Sequence, residues 1–208
     1  MQSGRRVVAL FALAALASVL FAVIAGFVAY GWFDRLDVAI ELAVHRLDSA
    51  PADVVFRGAT LIGSDVVIWP VIGVLLVVCW RQGRRSIAWI LIGEAVAEIL
   101  MNTLLKKLFT RPRPTLFDKV GLPSSWSFPS GHAMSSMAIW GGIAAVLIAL
   151  FPSRKRVIVP LAVLLIACIG VSRVYLGVHW PSDVVGGWLA GTPFLVAAVY
   201  LLHHRNVR

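Results

Sequence analysis

Two histidines and one aspartate in the C-terminal half of the chain could transfer a phosphoryl group. Asp183 follows His179 by four residues, about one helical turn, so its carboxylate can hold the proton on one ring nitrogen while the other attacks phosphorus. A neutral imidazole that attacks in this way forms a phosphohistidine and divides one difficult displacement into two easier ones. His132 could protonate the leaving oxygen, because histidine titrates in the right range. We therefore predict His179 as nucleophile, Asp183 as its orienting carboxylate and His132 as general acid.

Taken alone, His179 and Asp183 would more often be ordinary polar residues at the start of a membrane helix. Three cations in the same chain favour the catalytic interpretation. A phosphoryl group in transfer spreads negative charge over its oxygens, and catalysis depends on positioning and neutralising that charge. Lys106, Arg113 and Arg173 can supply the positive charge, and arginine's planar N–H pairs match two phosphate oxygens at once.

Ser130 and Gly131 directly precede His132, at the predicted start of a helix. A small hydroxyl and unhindered backbone N–H groups at a helix N-terminus form an oxyanion site. The Pro-Ser-Gly turn could also serve only as a helix entry, and the two roles are compatible because the turn exposes those N–H groups. No cluster of acids or histidines has metal-ligand spacing, so we expect a metal-independent reaction with no cofactor.

These residues fall in three motifs: KKLFTRPRP at 106–114, PSGH at 129–132 and SRVYLGVHWPSD at 172–183, with 39 residues between His132 and Ser172. The set resembles the tripartite signature of the type 2 phosphatidic acid phosphatase (PAP2) family, KxxxxxxRP, PSGH and SRxxxxxHxxxD, and every motif position is filled. The resemblance implies a metal-independent membrane lipid phosphatase. It implies these roles: phosphate binding by Lys106, Arg113, Ser130, Gly131 and Arg173, acid catalysis by His132, nucleophilic attack by His179 and orientation by Asp183.

Several ionisable residues lie outside the matched positions. Arg111 could reach a second phosphate of a diphosphate substrate or anchor the chain at lipid headgroups. Glu94, Glu98 and Asn102 precede Lys106 at successive i+4 positions, so all four share one broad helix face. Carboxylates at membrane depth normally face a protein interior or a wet cavity. They could form a functional relay, but a structural network that locks the helices is the favoured interpretation.

The elements that must position these residues are membrane helices. The chain has 208 residues, 60% of them hydrophobic and only 14% charged, with a mean hydropathy of +0.88. This composition predicts one all-α integral membrane domain over 1–208, a polytopic helical bundle. The net charge of +9 could indicate nucleic acid, but the cations cluster between apolar runs, so no nucleic-acid partner is expected. Six spans are predicted at about 7–30, 59–80, 87–108, 132–151, 157–177 and 183–202.

A seventh, shorter helix is predicted between the first two spans. Leu36, Ile40 and Leu47 belong to an apolar stripe with helical spacing, and acidic and basic residues occupy the remaining face. This pattern is typical of a helix that lies in the membrane surface, although an ordinary loop remains possible. On the last span, Gly187 and Gly191 form a small-xxx-small pair that predicts close helix packing.

Loop charges predict the orientation. The two termini and the second and fourth connections carry ten cations and no acids, against six cations elsewhere once Lys106, Arg113 and Arg173 are set aside as motif residues. Cytoplasmic segments carry the excess of Lys and Arg. We therefore expect both termini to be cytoplasmic in a cell (plasma) membrane, with the three motifs on the outer face.

Together these features predict a lipid phosphate phosphatase whose substrate enters from the bilayer. The candidate substrates are undecaprenyl diphosphate, phosphatidylglycerol phosphate and phosphatidate, and outward chemistry ranks undecaprenyl diphosphate first. A phosphotransferase that uses the same site is the nearest alternative. A lipid or ion carrier built on Glu94 and Glu98 is less favoured, because transporters commonly show internal repeats and interrupted spans. The sequence leaves the oligomeric state open.

Overall fold

The computed structural model describes residues 2–117, 120–121 and 123–204. Regular structure in this part of the chain is entirely helical, which confirms the predicted all-α class. The α-helices are α1 (Gln2–Ala29), α2 (Asp34–His45), α3 (Ala50–Ile62), α4 (Asp65–Arg81), α5 (Arg85–Phe109), α6 (Gly131–Ser135), α7 (Gly141–Leu150), α8 (Lys155–Tyr175) and α9 (Pro181–His204). A π-helical turn, Ser136–Trp140, joins α6 to α7 into one continuous span.

Five helical segments are long and apolar enough to cross a membrane, and a bent pair makes up to six. The five are Gly4–Ala29, Arg85–Phe109, Gly131–Leu150, Pro152–Tyr175 and Pro181–His204, which agree with five of the predicted spans. Arg205 and Arg208, whose charges entered the orientation prediction, lie outside the described residues.

The second predicted span, 59–80, corresponds to a bent pair of helices. The chain bends by 49° between α3 and α4, at Gly63 and Ser64, where the sequence Gly63-Ser64-Asp65 interrupts the apolar run. Ser64 leaves the helical conformation and precedes Asp65 in the first turn of α4, an arrangement typical of a new helix start. At Gly63 a side chain would collide with Ile169 of α8. The break therefore lets α3 pack against α8 while α4 packs against α5.

The short helix α2 confirms the predicted element, but its buried side is its acidic side. Asp37 and Glu41 are almost fully buried, whereas Leu36 and Ile40 of the predicted apolar stripe are exposed. In a lipid environment exposed leucine and isoleucine cost little, while carboxylates require partners inside the protein. Helix α2 accordingly packs its acidic side against α8 and α9.

Glycines on α9 allow it to approach the start of α6. A Cβ at Gly187 would lie 2.5 Å from the carbonyl oxygen of Ser130, and one at Gly191 would lie 2.6 Å from that of Met134. The predicted small-xxx-small contact is therefore confirmed, and its partner is the helix that follows the PSGH motif. This approach lets the N–H of Ser130 donate to the carbonyl oxygen of Asp183 at 3.0 Å. The second and third motifs are thus joined directly through their backbones.

Candidate active site

The three motifs converge on one cavity at the end of the bundle where α5 finishes and α6 and α9 begin. The cavity has a volume of about 320 Å³. Residues from every motif contribute to its lining: Lys106, Arg113, Gly131, His132, Arg173 and His179. Residues separated by more than 70 positions in sequence therefore face the same space, as the motif spacing predicted.

His179 lies in the turn between α8 and α9, and its imidazole is held by Asp183. The ring Nδ1 is 3.4 Å from Asp183 Oδ2, and the backbone N–H of Trp180 donates to the same oxygen at 2.9 Å. The spacing of four residues thus brings the carboxylate to the imidazole, as expected from the first turn of α9. Asp183 is fully buried, so its position is fixed by these partners rather than by solvent.

The other ring nitrogen of His179 faces a cation. Arg113 Nη1 lies 3.0 Å from His179 Nε2, and because guanidinium can only donate, Nε2 is the acceptor and Nδ1 carries the proton toward Asp183. Burial is the main cause that lowers the pKa of His179 to about 3; Asp183 opposes this shift, and Arg113 and Lys106 add to it. At neutral pH the imidazole is therefore uncharged, with its Nε2 lone pair on the cavity side, which is the form a nucleophile needs.

Two cations of the first motif are oriented by the loop that precedes the second motif. Arg113 donates from Nε to the carbonyl of Ser125 at 2.8 Å and from Nη1 to that of Val178 at 2.6 Å. Lys106, near the end of α5, donates to the carbonyl of Trp126 at 2.6 Å. Among the described residues these contacts are to neutral carbonyl oxygens, so the positive charges of Arg113 and Lys106 can attract an anion into the cavity.

Arg173, on the last turn of α8, is the third cation of the cavity. Its guanidinium is mostly buried and hydrogen-bonds to the hydroxyl of Thr60 on α3. Its Nε has no hydrogen-bond partner among the described residues. The Arg173 side chain lines the cavity, so its positive charge acts on an anion held there. Within the described ranges, no group of three or more His, Cys, Asp or Glu side chains could hold a metal ion.

The PSGH motif divides between the cavity and its support. Gly131 and His132 line the cavity at the first turn of α6. Ser130 is fully buried behind them, and its backbone N–H is already occupied by the carbonyl of Asp183. The predicted oxyanion role of Ser130 therefore does not extend to this N–H, whereas Gly131 and His132 line the cavity.

Arg111 takes neither of the roles considered from sequence. Its guanidinium is buried and forms ion pairs with Asp183 Oδ1 at 2.7 Å and Asp37 Oδ2 at 2.8 Å. It also donates to Ser182 Oγ at 2.8 Å. Although burial would lower the pKa of Arg111, Asp183 and Asp37 raise it above its ordinary value. Arg111 is thus a permanent cation that holds the carboxylate of Asp183 from the side opposite His179.

Three further residues of this support were not identified from the sequence. Asp37 accepts from both the backbone N–H and the hydroxyl of Ser182, at 2.9 and 2.6 Å. Ser127 is fully buried and donates to Asp183 Oδ2 at 2.5 Å. The i, i+4 pair formed by Asp37 and Glu41 on α2 was the available signal, because two carboxylates on one helix face require a partner. Nothing in the sequence distinguished Ser127 from its neighbouring serines.

The acidic face of α5 also approaches the cavity. Glu98 accepts from Ser135 Oγ at 2.9 Å and from Asn102 Nδ2 at 3.4 Å, and all three residues line the cavity. Glu94, one turn away, instead lines a separate cavity between α5 and α9. The predicted network therefore exists at Glu98 and Asn102, and Glu94 lies outside it.

The site and fold have clear relatives. The model of the PAP2 superfamily matches residues 86–208. Phosphatidylglycerophosphatase B of Bacillus subtilis (strain 168) is 30% identical over 158 residues, which cover 74% of this chain and 77% of that protein. Decaprenylphosphoryl-5-phosphoribose phosphatase of Mycobacterium tuberculosis (strain ATCC 25618 / H37Rv) is 32% identical over 163 residues, which cover 76% of this chain and 85% of that protein. The crystal structure of the first transmembrane PAP2 type phosphatidylglycerolphosphate phosphatase from Bacillus subtilis is similar with a TM-score of 0.83 at 26% identity, covering 93% of this chain and 95% of that one.

Proposed function

Because the chain belongs to the PAP2 superfamily, we propose that it releases phosphate from a membrane lipid phosphate or diphosphate through a phosphohistidine on His179. The chain is a phosphate-ester hydrolase of the membrane, and its relatives are lipid phosphatases. The observation that carries the proposed chemistry is the neutral His179 imidazole between Asp183 and Arg113, beside Lys106 and Arg173.

In the first step, His179 Nε2 attacks the phosphorus of the bound substrate. The new N–P bond forms as the bond to the lipid oxygen breaks, and His132 gives its proton to that oxygen. Arg113 leaves Nε2 and donates to the phosphate oxygens instead, together with Lys106 and Arg173. These three cations neutralise the charge that spreads over the equatorial oxygens during transfer.

In the second step, water attacks the phosphohistidine. The now neutral His132 takes a proton from the water, the new P–O bond forms and the N–P bond breaks, which releases inorganic phosphate and restores His179. Throughout, Asp183 holds the Nδ1 proton and stabilises the positive charge that develops on the ring. Arg111 and Ser127 act through Asp183 and are positioning residues.

For the substrate, phosphatidylglycerol phosphate, phosphatidate and undecaprenyl diphosphate are the proposed candidates. Two of the relatives are named for phosphatidylglycerol phosphate and decaprenylphosphoryl-5-phosphoribose, which are lipids with a terminal phosphate. The cavity lies at the ends of membrane helices, so we propose that the lipid approaches from the bilayer plane. We propose that residues 1–208 form one domain. The loop charges favour an orientation with both termini cytoplasmic and the cavity at the outer face.

One experiment tests the function. Purified protein in chelator is given a panel of lipid phosphates, and phosphate release is measured for the wild type and for His179→Ala. We expect release by the wild type, an acid-labile phosphoenzyme in quenched reactions, and loss of both in the variant. Turnover by His179→Ala at the wild-type rate would contradict the mechanism, and transfer of label to a second lipid instead of water would identify a phosphotransferase.

A further inference from the structure

A second concave surface lies between α4 and α5, at the end of the bundle opposite the catalytic cavity. The two helices are joined at this end by the turn at 82–84, whereas Lys106 enters the catalytic cavity from the other end of α5. We call this surface the α4–α5 groove. It has a volume of about 380 Å³ and shares no lining residue with the catalytic cavity. Its lining residues are Leu76, Val77, Trp80, Arg81, Ala88 and Ile92.

The walls of the α4–α5 groove are apolar. Leu76 and Val77 on α4 face Ala88 and Ile92 on α5. Ile92 lies one to two helical turns beyond Arg85, the first residue of α5, so the walls extend roughly 10 Å from the turn toward the bilayer centre at ~1.5 Å per residue. Both helices belong to segments that are apolar enough to cross a membrane. The group that the bilayer supplies at this depth is an acyl chain.

The mouth of the α4–α5 groove is cationic. Arg81 lines it, and the guanidinium carbon of Arg85 lies 4.9 Å from the ring centroid of Trp80. Arg84 lies in the turn between these two arginines. The sequence from 66 to 93 contains no Asp or Glu, and within the described part of the chain none of the three arginines forms an ion pair. Their charges are therefore available to an anion at the membrane surface.

We propose that the α4–α5 groove binds an anionic phospholipid of the surrounding leaflet. The phosphodiester lies at Arg81 and Arg85, and one acyl chain lies along Leu76 and Ile92. The groove presents its charge and its apolar walls in the order in which such a lipid presents its headgroup and its chain. Basic pockets between membrane helices bind anionic headgroups in this way. A zwitterionic lipid carries its own cation next to the phosphate, so it gains less from the arginines.

The bound lipid would act on the α4–α5 pair as a unit. Helix α4 packs against α5 and α3, and its first residue, Asp65, lines the catalytic cavity together with Glu98 and Lys106 of α5. A lipid that contacts both helices at the opposite end therefore stabilises the pair that forms one wall of that cavity. Binding itself requires no turnover, so this inference does not depend on the proposed function.

The test measures thermal unfolding of the purified protein in an uncharged detergent at ~0.15 M salt, where charges more than ~8 Å apart are largely screened. Phosphatidylglycerol and phosphatidylcholine are added in increasing amounts. At about ten times its half-saturating amount, phosphatidylglycerol should raise the Tm by about 3–6 °C, and phosphatidylcholine should raise it less. An equal rise with the two lipids would overturn the proposal.

Three variants locate the site. Arg81→Gln should increase the half-saturating amount of phosphatidylglycerol by about fivefold, the effect of one cation next to an anionic headgroup. Val77→Trp should also increase it, because Val77 is half exposed and the indole would occupy the position of the acyl chain. Arg154→Gln is the matched control, because Arg154 is an exposed cation between α7 and α8 that does not line the groove, and it should keep the wild-type value.

A wild-type response in Arg81→Gln or in Val77→Trp would overturn the proposal, since phosphatidylglycerol bound in the catalytic cavity would be insensitive to both changes. An equal loss in Arg154→Gln would overturn it in favour of general surface attraction. Water-soluble glycerophosphoglycerol should not raise the Tm, and a rise equal to that of the lipid would exclude the acyl-chain contact. A dimer that Val77→Trp dissociates, without any lipid response, would assign the groove to a second copy of this chain. The comparison of the two lipids uses wild-type protein, so the proposal is tested even if a variant fails to fold.

Discussion

Asp183 is the residue on which the site depends most, because its two oxygens serve different partners. Oδ2 accepts from Ser127 and the N–H of Trp180 and lies next to His179, while Oδ1 accepts from Arg111. The sequence motif predicted the contact with His179, because four residues on a helix suffice to make it. The motif could not predict the contact between Asp183 and Arg111, because the partners of Arg111 lie more than 70 residues away in sequence. Both roles considered for Arg111 from the sequence directed its side chain outward.

Asp37→Asn tests whether the contacts of Arg111 position the carboxylate of Asp183 against His179. Loss of the charge on Asp37 leaves Arg111 with one buried ion pair, so Asp183 and His179 shift slightly, and small misplacements cost catalysis more than binding. We expect kcat to fall by about tenfold with KM changed less than threefold. The matched control is Asp34→Asn on the same helix, since Asp34 is exposed and 3.4 Å from Arg111. Equal losses in the two variants, or a loss in KM alone, would contradict the positioning role.

Glu41→Gln should alter how stability depends on pH. Burial, with the negative charges of Asp37 and Asp183, raises the pKa of Glu41 from 4.5 to about 7. Between these pH values the folded protein keeps a proton on Glu41 that the unfolded chain releases. The contribution of this proton to the free energy of unfolding is complete below pH 4.5 and is lost as pH rises through about 7. At pH 8 the variant should melt about 2–4 °C above the wild type, roughly 1 kcal/mol, and at pH 5 the two should agree. Thermal unfolding in detergent at both pH values measures this, and a constant difference would contradict it.

At the scale of elements, hydropathy predicted the long helices well and located the broken one, but it did not give the angle of the bend. Spans with uninterrupted apolar runs matched their helices to within a few residues. The bend between α3 and α4 arises at Gly63, where α8 approaches too closely for a side chain. The residues Gly63, Ser64 and Asp65 mark the break in the sequence, and the tertiary contact with Ile169 explains why residue 63 has no side chain. For α2 the helical period was predictable, but which face is buried was decided by Arg111 and not by hydrophobicity.

Gly187→Ala should damage both stability and activity. The added methyl group would lie 2.5 Å from the backbone carbonyl of Ser130, so α9 must move away from α6 and weaken the Ser130–Asp183 bond. Overpacking of this kind costs about 1–3 kcal/mol, and we expect kcat to fall by more than tenfold. Gly73→Ala on α4 is the control, because a Cβ there has nothing within 4 Å, and it should match or slightly exceed wild-type stability. Thermal unfolding measures the stability of the two variants, and phosphate release measures their kcat. Wild-type stability and kcat in Gly187→Ala would contradict the packing argument.

At the scale of the whole molecule, the charge pattern of the loops predicts how the bundle lies in the membrane. The helices place residues 110–117, residues 123–130 and the turn at 176–180 at one end, with the turn around Ser153 at the other. Counting the predicted spans already placed the three motifs at the same end of the bundle. The first two motifs lie between the third and fourth spans, and the third lies between the fifth and sixth. Which end faces outward depends on Lys and Arg statistics alone.

Cysteine labelling decides the orientation. In a background with Cys79 and Cys168 replaced by serine, Ser124→Cys should react with a membrane-impermeant thiol reagent in intact cells, because Ser124 is exposed at the cavity end. Ser153→Cys, which is exposed at the opposite end, should react only after permeabilisation. The reverse pattern would place the cavity in the cytoplasm and remove the outer-leaflet assignment.

The buried guanidinium of Arg111 also bears on how the protein is made. It joins Asp37, 74 residues earlier in the chain, to Asp183, 72 residues later. A growing polypeptide reaches Arg111 and Asp37 long before Asp183 is synthesised, so those two can pair first and wait for the start of α9. Hydrolytic competence is therefore acquired at the end of biogenesis, and a nascent chain halted before α9 leaves the surrounding lipids untouched.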